Sequence, residues 1–192
     1  MSRETIVKNV REALRHKNEV PSEHPLRVEP AEEDLAVLFT QTYHKHGAAI
    51  SYCINEEQIA ERLIALRASA DNPLMGCSNK NVVSFLQSLG IADAEVAQPG
   101  QQYRMGVMLC ESLLADNGSV VLSDRLGFGT AFPRLPQTTI LVAFTSQVVA
   151  DWEEAVARLK ASDKEMPRNL TKITPSSADR QHDLHLILIE DQ

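Results

Sequence analysis

The sequence lacks any hydrophobic run close to the roughly 20 residues that a membrane-spanning helix needs. Its first 17 residues alternate charged and apolar side chains and contain no signal-peptide core. Its three cysteines, Cys53, Cys77 and Cys110, form no CxxC pair and no cysteine–histidine cluster. These absences argue against a membrane span, a disulfide scaffold and a zinc or iron–sulfur centre held by this chain alone. We therefore expect a cytoplasmic protein with buried, unreactive thiols.

Positive charge is also scarce. The chain has 19 Lys and Arg residues against 26 Asp and Glu residues, so its net charge is −7 and its pI is about 5.4. Nucleic acids and anionic membranes are bound through basic patches, so we expect neither as a partner. Apolar residues are abundant, because 43% of the 192 residues are hydrophobic. This content is sufficient for one well-buried core.

Predicted helices and strands alternate along the chain. Helices are expected at about 31–46, 55–66, 79–89, 105–115 and 147–160, and strands at 48–54, 73–77, 91–97, 119–122, 138–144 and 184–189. Asn55 and either Ser78 or Asn79 are candidate N-caps. Such alternation predicts an α/β fold with a mostly parallel sheet flanked by helices.

The N-terminal 30 residues are predicted to form an arm. Residues 3–16 carry one narrow apolar stripe at helical spacing, formed by Ile6, Val10 and Leu14. Three prolines and many polar residues follow up to residue 30, which is typical of a linker. We therefore predict a helix and proline-containing linker at 1–30 and a single α/β domain at 31–192.

The first candidate site is the corner Asp116-Asn117-Gly118-Ser119, where the predicted helix 105–115 meets a strand. Such corners at a sheet edge are where α/β folds place ligands. Gly118 permits close approach to the backbone, and Asn117 and Ser119 could donate to an anion. The alternative is that Asn-Gly is only the tightest way out of a helix.

Two loops supply further candidates. The loop 123–136 has two glycines and two prolines, and its arginines Arg125 and Arg134 could hold a carboxylate or phosphate. Its glycines do not have the spacing of a dinucleotide-binding motif. In the loop 171–183, Ser176, Asp179 and His182 could form a polar network, although no nucleophile elbow accompanies them. Solvated arginines and ordinary turn chemistry explain both loops equally well.

The order of five segments along the chain resembles that of one known family. Its members open with a helix, here residues 2–14, and carry an A-E-T-G-T corner and strand, here 114–122. Further matches are an arginine-to-proline segment, a T-G-P-S-R-T-A-D segment and a last strand, here 133–136, 173–179 and 184–190. The chain thus resembles the lactate-utilisation protein C family, also called LUD-domain proteins. Two departures are a shorter 174–179 segment without its glycine and the absence of an H-G-P motif before the last strand.

The resemblance implies a fold similar to the ribose-phosphate isomerase, glucosamine-phosphate isomerase and CoA-transferase group. It also implies a role in oxidising L-lactate to pyruvate, with the iron–sulfur clusters carried by partner subunits. We expect an accessory or regulatory subunit that binds a small carboxylate or phosphate and holds no metal itself. The expected ligand-binding residues are Asn117, Gly118, Ser119, Arg134, Ser176 and Asp179. Arg134 would meet the anion, and the backbone N–H groups of Gly118 and Ser119 would donate to it.

Two alternatives stay open. A stand-alone enzyme of the isomerase or CoA-transferase type would need a glutamate base or nucleophile, and Glu111 is the glutamate near the corner. A non-catalytic scaffold would instead use the N-terminal apolar stripe to dock a partner. No catalytic residue is assigned from the sequence.

Overall fold

The computed structural model describes residues 32–71, 73–98, 100–162, 165–175 and 182–191. The predicted N-terminal helix and linker lie outside the described residues, as do Ser176 and Asp179. The proposed boundary between an arm at 1–30 and a domain at 31–192 therefore stays a prediction.

Within these ranges the chain forms four α-helices and ten strands. The helices are α1 (Glu32–Lys45), α2 (Glu56–Ser69), α3 (Lys80–Ser88) and α4 (Trp152–Ala161), and a 3-10 turn covers Thr145–Gln147. The first five strands are β1 (Ala49–Cys53), β2 (Met75–Cys77), β3 (Glu95–Val96), β4 (Met105–Leu109) and β5 (Ser112–Leu114). The others are β6 (Ser119–Ser123), β7 (Thr138–Phe144), β8 (Val148–Val149), β9 (Leu170–Ile173) and β10 (Asp183–Ile189). Among the described helices, none is long and apolar enough to cross a membrane.

The strands form two sheets. The central sheet has the order β1-β10-β7-β4-β2-β3, and all its neighbouring strands are parallel. This confirms the predicted α/β fold with a mostly parallel sheet. The smaller sheet has the order β8-β5-β6-β9, in which β6 is antiparallel to both neighbours and β5 is parallel to β8. The sequence did not predict this second sheet.

The helices and sheets pack in four layers. Side chains of α2 and α3 cover one face of the central sheet, with Leu63 and Phe85 packed near Val107 and Ile140. The smaller sheet and α1 cover the opposite face. Helix α4 then covers the outer face of the smaller sheet through Ala155. The core therefore has one apolar layer on each face of the central sheet and a third beneath α4.

The predicted helix at 105–115 is wrong. The segment forms β4 and β5, and every residue of both strands is buried. A strand covered on both faces carries apolar residues without alternation, so its pattern resembles that of a buried helix. As a consequence, the corner at 116–119 is the tip of a β-hairpin between β5 and β6, and no helix enters it.

The start of the last predicted helix is also wrong, because α4 begins only at Trp152 after the N-cap Asp151. Val148 and Val149 form β8 instead. The predicted caps are confirmed: Asn55 accepts a hydrogen bond from Gln58 N–H, and Asn79 accepts from Asn81 and Val82 N–H. The predicted strand at 138–144 matches β7.

Candidate functional site

The hairpin tip at 116–119 is closed by its own hydrogen bonds. Gly118 N–H donates to the Leu114 carbonyl oxygen at 2.9 Å, and Ser119 N–H donates to Asn117 Oδ1 at 3.0 Å. Both N–H groups are therefore already bonded within the hairpin, and their donation to an anion stays a prediction. Gly118 has a φ of 63°, and a Cβ there would lie 2.7 Å from Tyr43 N. Glycine is required here because the tip approaches the backbone of α1 closely.

Two further contacts fix the hairpin tip to its surroundings. His46 Nε2, just after α1, donates to the Asn117 carbonyl oxygen at 3.1 Å. The hydroxyl oxygens of Ser119 and Thr174 lie 2.6 Å apart. Ser119 is fully buried, whereas Thr174 is exposed and precedes Ser176 by two residues. The hairpin tip therefore joins the end of α1 to the start of the loop predicted to bind a ligand.

The predicted ligand-binding residues fall into three groups. Asn117, Gly118 and Ser119 lie together at the hairpin tip. Arg134 is exposed in the loop before β7, and within the described part of the chain no hydrogen bond or ion pair joins it to the tip. Ser176 and Asp179 lie outside the described residues. Their contribution to a ligand site stays a prediction.

A second polar site lies at the open end of the same hairpin. Glu111 connects β4 to β5, and its side chain is only 2% exposed. Ser123 Oγ donates to Glu111 Oε1 at 2.5 Å. Arg125 donates from Nε to Oε1 at 3.1 Å and from Nη2 to Oε2 at 2.5 Å. These residues, here called the Glu111 cluster, form a bidentate ion pair with an added hydroxyl donor.

The Glu111 cluster lies where chain connections diverge. The chain leaves β2 through α3 towards β3 on one side, and it leaves β4 through the smaller sheet towards β7 on the other. Open α/β sheets bind ligands in the crevice at such a point. The loop after Arg125 also packs here, because a Cβ on Gly127 would lie 2.3 Å from Ser78 O. Asn79 Nδ2 donates to Leu126 O at 3.3 Å and holds the same loop.

Gln147 supports this region and was missed by sequence reasoning. The residue is 6% exposed, and its Nε2 donates to Cys110 O at 2.7 Å and Glu111 O at 3.3 Å. Its Oε1 accepts from Phe144 N–H at 2.7 Å. One buried amide thus ties the turn after β7 to the turn after β4. A glutamine just after the predicted strand 138–144 was the signal available in the sequence.

The cysteines are free and buried, as predicted. Burial raises the pKa of Cys77 to about 12 and also raises the pKa of Cys110, with a smaller contribution from the Glu111 charge. Both thiols therefore stay protonated at neutral pH and are poor nucleophiles. Across the described ranges, no three His, Cys, Asp or Glu side chains are grouped so that they could hold a metal ion.

Comparisons with known proteins agree with this architecture. A crystal structure of a DUF162 family protein from Deinococcus radiodurans matches with a TM-score of 0.67 and 16% sequence identity. The match covers 85% of this chain and 100% of that protein, and at this identity it shows a shared fold. No curated protein sequence is significantly similar to the chain. The LUD-domain family model matches residues 6–192. The chain therefore belongs to the LUD-domain family, which is associated with lactate utilisation.

Proposed function

We propose that this chain is an accessory or regulatory subunit of a cytosolic iron–sulfur complex that oxidises L-lactate to pyruvate. In this role it binds a small anion, and its partner subunits carry the clusters and the electrons. Membership of a family associated with lactate utilisation supports the metabolic setting. The choice of an accessory role depends on the state of one glutamate.

The observation that carries the accessory role is the environment of Glu111. A glutamate that acts as a nucleophile or base must reach the substrate with a free oxygen. Here both carboxylate oxygens accept hydrogen bonds from Arg125, and one also accepts from Ser123. The side chain is 2% exposed. The carboxylate is therefore arranged to hold the loop after β6 in place, which is a structural task.

For the anion, we propose side-chain donors at the hairpin tip. Asn117 uses its side-chain oxygen for Ser119 N–H, so its amide nitrogen is the group that it offers to a ligand. Thr174 is exposed, and its hydroxyl can donate outward when it accepts from Ser119. Arg134 and Ser176 complete the proposed set of donors, with Arg134 meeting the carboxylate, and Asp179 orients the polar loop. A charge-assisted contact of this kind contributes about 1.5–3 kcal/mol.

Calorimetric titration with L-lactate and pyruvate tests the anion site. We expect Arg134→Ala to weaken binding by at least about 1.5 kcal/mol, which is roughly tenfold in Kd. Arg104→Ala is the matched control, because Arg104 is another exposed arginine close to the start of a central strand. Equal affinities for the wild type and Arg134→Ala would remove Arg134 from the site.

Affinity purification of the tagged full chain from its native host tests the accessory role. We expect iron-containing proteins to co-elute and the eluate to oxidise L-lactate. Recovery of the chain alone and free of iron would contradict the proposal. Mass spectrometry and an iron assay on the same eluate distinguish these results.

One observation favours a second candidate, a stand-alone enzyme of the isomerase or CoA-transferase type. Glu111 lies at the carboxyl end of a central strand where connections diverge, which is where such folds place their chemistry. This candidate predicts that the purified chain turns over a substrate. It also predicts that Glu111→Gln abolishes turnover while Asp116→Asn leaves it unchanged.

A further inference from the structure

A groove of about 690 Å³ lies between α1 and the edge strand β1. Its walls are formed by one side of α1, by β1 and β10, and by the turn after β7. The lining residues on α1 are Ala36, Val37, Thr40 and Gln41, and those on the two strands are Ile50, Tyr52 and Leu188. Thr40 Oγ1 donates to Ala36 O at 2.8 Å, so its hydroxyl is already used within α1. The groove is thus largely apolar and is separate from the hairpin tip and the Glu111 cluster.

Two of the apolar side chains that line the groove are exposed. Val37 is 56% exposed and Tyr52 is 54% exposed. Strand β1 pairs with β10 on one side, and among the described strands none pairs with its other side. Its sequence, AISYC, contains no charge or proline. Exposed edges usually carry such residues or are covered by another segment.

One end of the groove is acidic. Glu190 and Asp191 are its charged lining residues within the described chain. Asp191 accepts hydrogen bonds from the Thr145 hydroxyl at 2.8 Å and from Ser146 N–H at 2.9 Å, which fixes its carboxylate at the rim. Arg158 donates a hydrogen bond to Ser146 O at 3.1 Å, and its charge is paired with that of Glu154. An occupant with basic residues and a narrow apolar stripe would complement this surface.

We propose that the groove is the docking site of the chain's own N-terminal segment, residues 3–16. The stripe of Ile6, Val10 and Leu14 packs against Val37 and Tyr52. Basic residues of the segment face Glu190 and Asp191. The docked segment covers the open edge of β1.

Charge supports this occupant. Residues 3–16 contain four basic residues, Arg3, Lys8, Arg11 and Arg15, and two acidic ones, Glu4 and Glu12. Their net charge of +2 contrasts with −7 for the whole chain. The segment is therefore a basic, amphipathic stretch in an otherwise acidic protein. Its attraction to the acidic rim is electrostatic and should weaken as salt concentration rises.

The length of the connection also supports docking within one chain. Helix α1 begins at Glu32, and Ala36 lies only about 6 Å further along the helix. Residues 17–30 can span up to roughly 45 Å when extended, which is more than the distance needed to fold back along α1. A helix over 3–16 would be about 21 Å long, the same as α1. The arm can therefore reach the groove of its own molecule.

Disulfide trapping in the full chain tests the contact. The native cysteines are buried, so we expect them not to form disulfides with an introduced pair. We expect Val10→Cys with Val37→Cys to give an oxidised monomer that migrates faster on a non-reducing gel. The matched control is Val10→Cys with Leu74→Cys, because Leu74 is 43% exposed but lies outside the groove. Equal trapping in both pairs, no trapping, or disulfide-linked dimers in place of the monomer would overturn docking within one chain.

Limited trypsin digestion supplies a second test, since residues 3–17 contain five potential cleavage sites. Val37→Asp should increase cleavage within residues 3–17 at least tenfold, because it places a charge on the apolar wall. Leu74→Asp should leave the cleavage rate at the wild-type value. Equal rates in all three proteins would overturn the proposal. Both tests use the isolated chain, so their outcome is independent of the proposed role in lactate oxidation.

Discussion

The two ends of the β5–β6 hairpin use polar residues in different ways. At the tip, small polar groups close the turn, and Gly118 N–H and Ser119 N–H both bond within the hairpin. At the open end, the Glu111 cluster buries a carboxylate against a guanidinium and a hydroxyl. The tip is conspicuous in the sequence, whereas Glu111 sits within an apolar run. The more conspicuous polar motif therefore builds the turn, while the less conspicuous one fixes a loop where the connections that follow β2 and β4 diverge.

Breaking the ion pair of Glu111 and Arg125 should destabilise the protein most. We expect Glu111→Ala to lower the free energy of unfolding by about 4 kcal/mol, because the Arg125 side chain, which is 20% exposed, then loses the carboxylate that accepts two of its hydrogen bonds. Urea denaturation measures this change. Glu61→Ala on α2 is the control, since its side chain is exposed and its loss should cost under about 0.5 kcal/mol.

A double variant sharpens the same prediction. Glu111→Leu combined with Arg125→Met removes both charges and keeps apolar volume, so it should recover most of the lost stability. A loss below about 1 kcal/mol for Glu111→Ala would contradict the view that the pair holds the loop.

The next largest effect is expected at the hairpin tip. Gly118→Ala should cost about 3 kcal/mol, because a Cβ there would lie 2.7 Å from Tyr43 N at a φ of 63°. Gly90→Ala isolates the backbone part of this cost. Gly90 also has a positive φ, 87°, but a Cβ there meets nothing within 4 Å, so we expect about 1 kcal/mol. Equal costs at both positions would show that the approach to α1 does not matter.

The smallest effect is expected for the hydroxyl pair at the tip. Ser119 Oγ and Thr174 Oγ1 lie 2.6 Å apart, but Thr174 is exposed and water can replace its partner. A double-mutant cycle with Ser119→Ala and Thr174→Val should give a coupling of about 0.5–1 kcal/mol. Zero coupling would mean that the hairpin tip is not held to the loop after β9.

Local signals in the sequence predicted several helices and strands of the central layers. Asn55 and Asn79 have the side chains that cap helices, and both do so. Strand β7 is bounded by polar segments, and its predicted limits agree with the structure. These elements were predictable because each is specified by its own residues. The parallel direction of the strands was predictable from the alternation of helices and strands.

The smaller sheet was not predictable in the same way. Its strands β5, β8 and β9 have three, two and four residues, too few for a period to be recognised. Burial on both sides also removed the alternation from β4 and β5. Gly106 was a cue against a helix, because glycine is unfavourable within one. In the structure, its lack of a side chain allows Pro136 and Phe132 to approach the strand.

The candidate site shows a similar limit. The residues of the hairpin tip are neighbours in sequence and were recognised together. Strands β4 and β7 are parallel neighbours, and each is followed by a strand of the smaller sheet. This arrangement brings together residues that are distant in sequence, namely Glu111, Ser123, Arg125 and Gln147. Nothing local links Glu111 to Gln147. Their contact depends on tertiary structure and could not be predicted from a single sequence.

The reactivity of the buried cysteines can be used to measure local opening of the native chain. Cys53 lies in the edge strand β1, whereas Cys110 lies where the chain passes between the two sheets. A thiol reagent reaches each sulfur only in molecules that have opened locally, and burial keeps the Cys110 thiol protonated until then. The labelling rate of Cys53 therefore measures fraying of the sheet edge. The rate at Cys110 measures separation of the two sheets, so one alkylation time course ranks both motions.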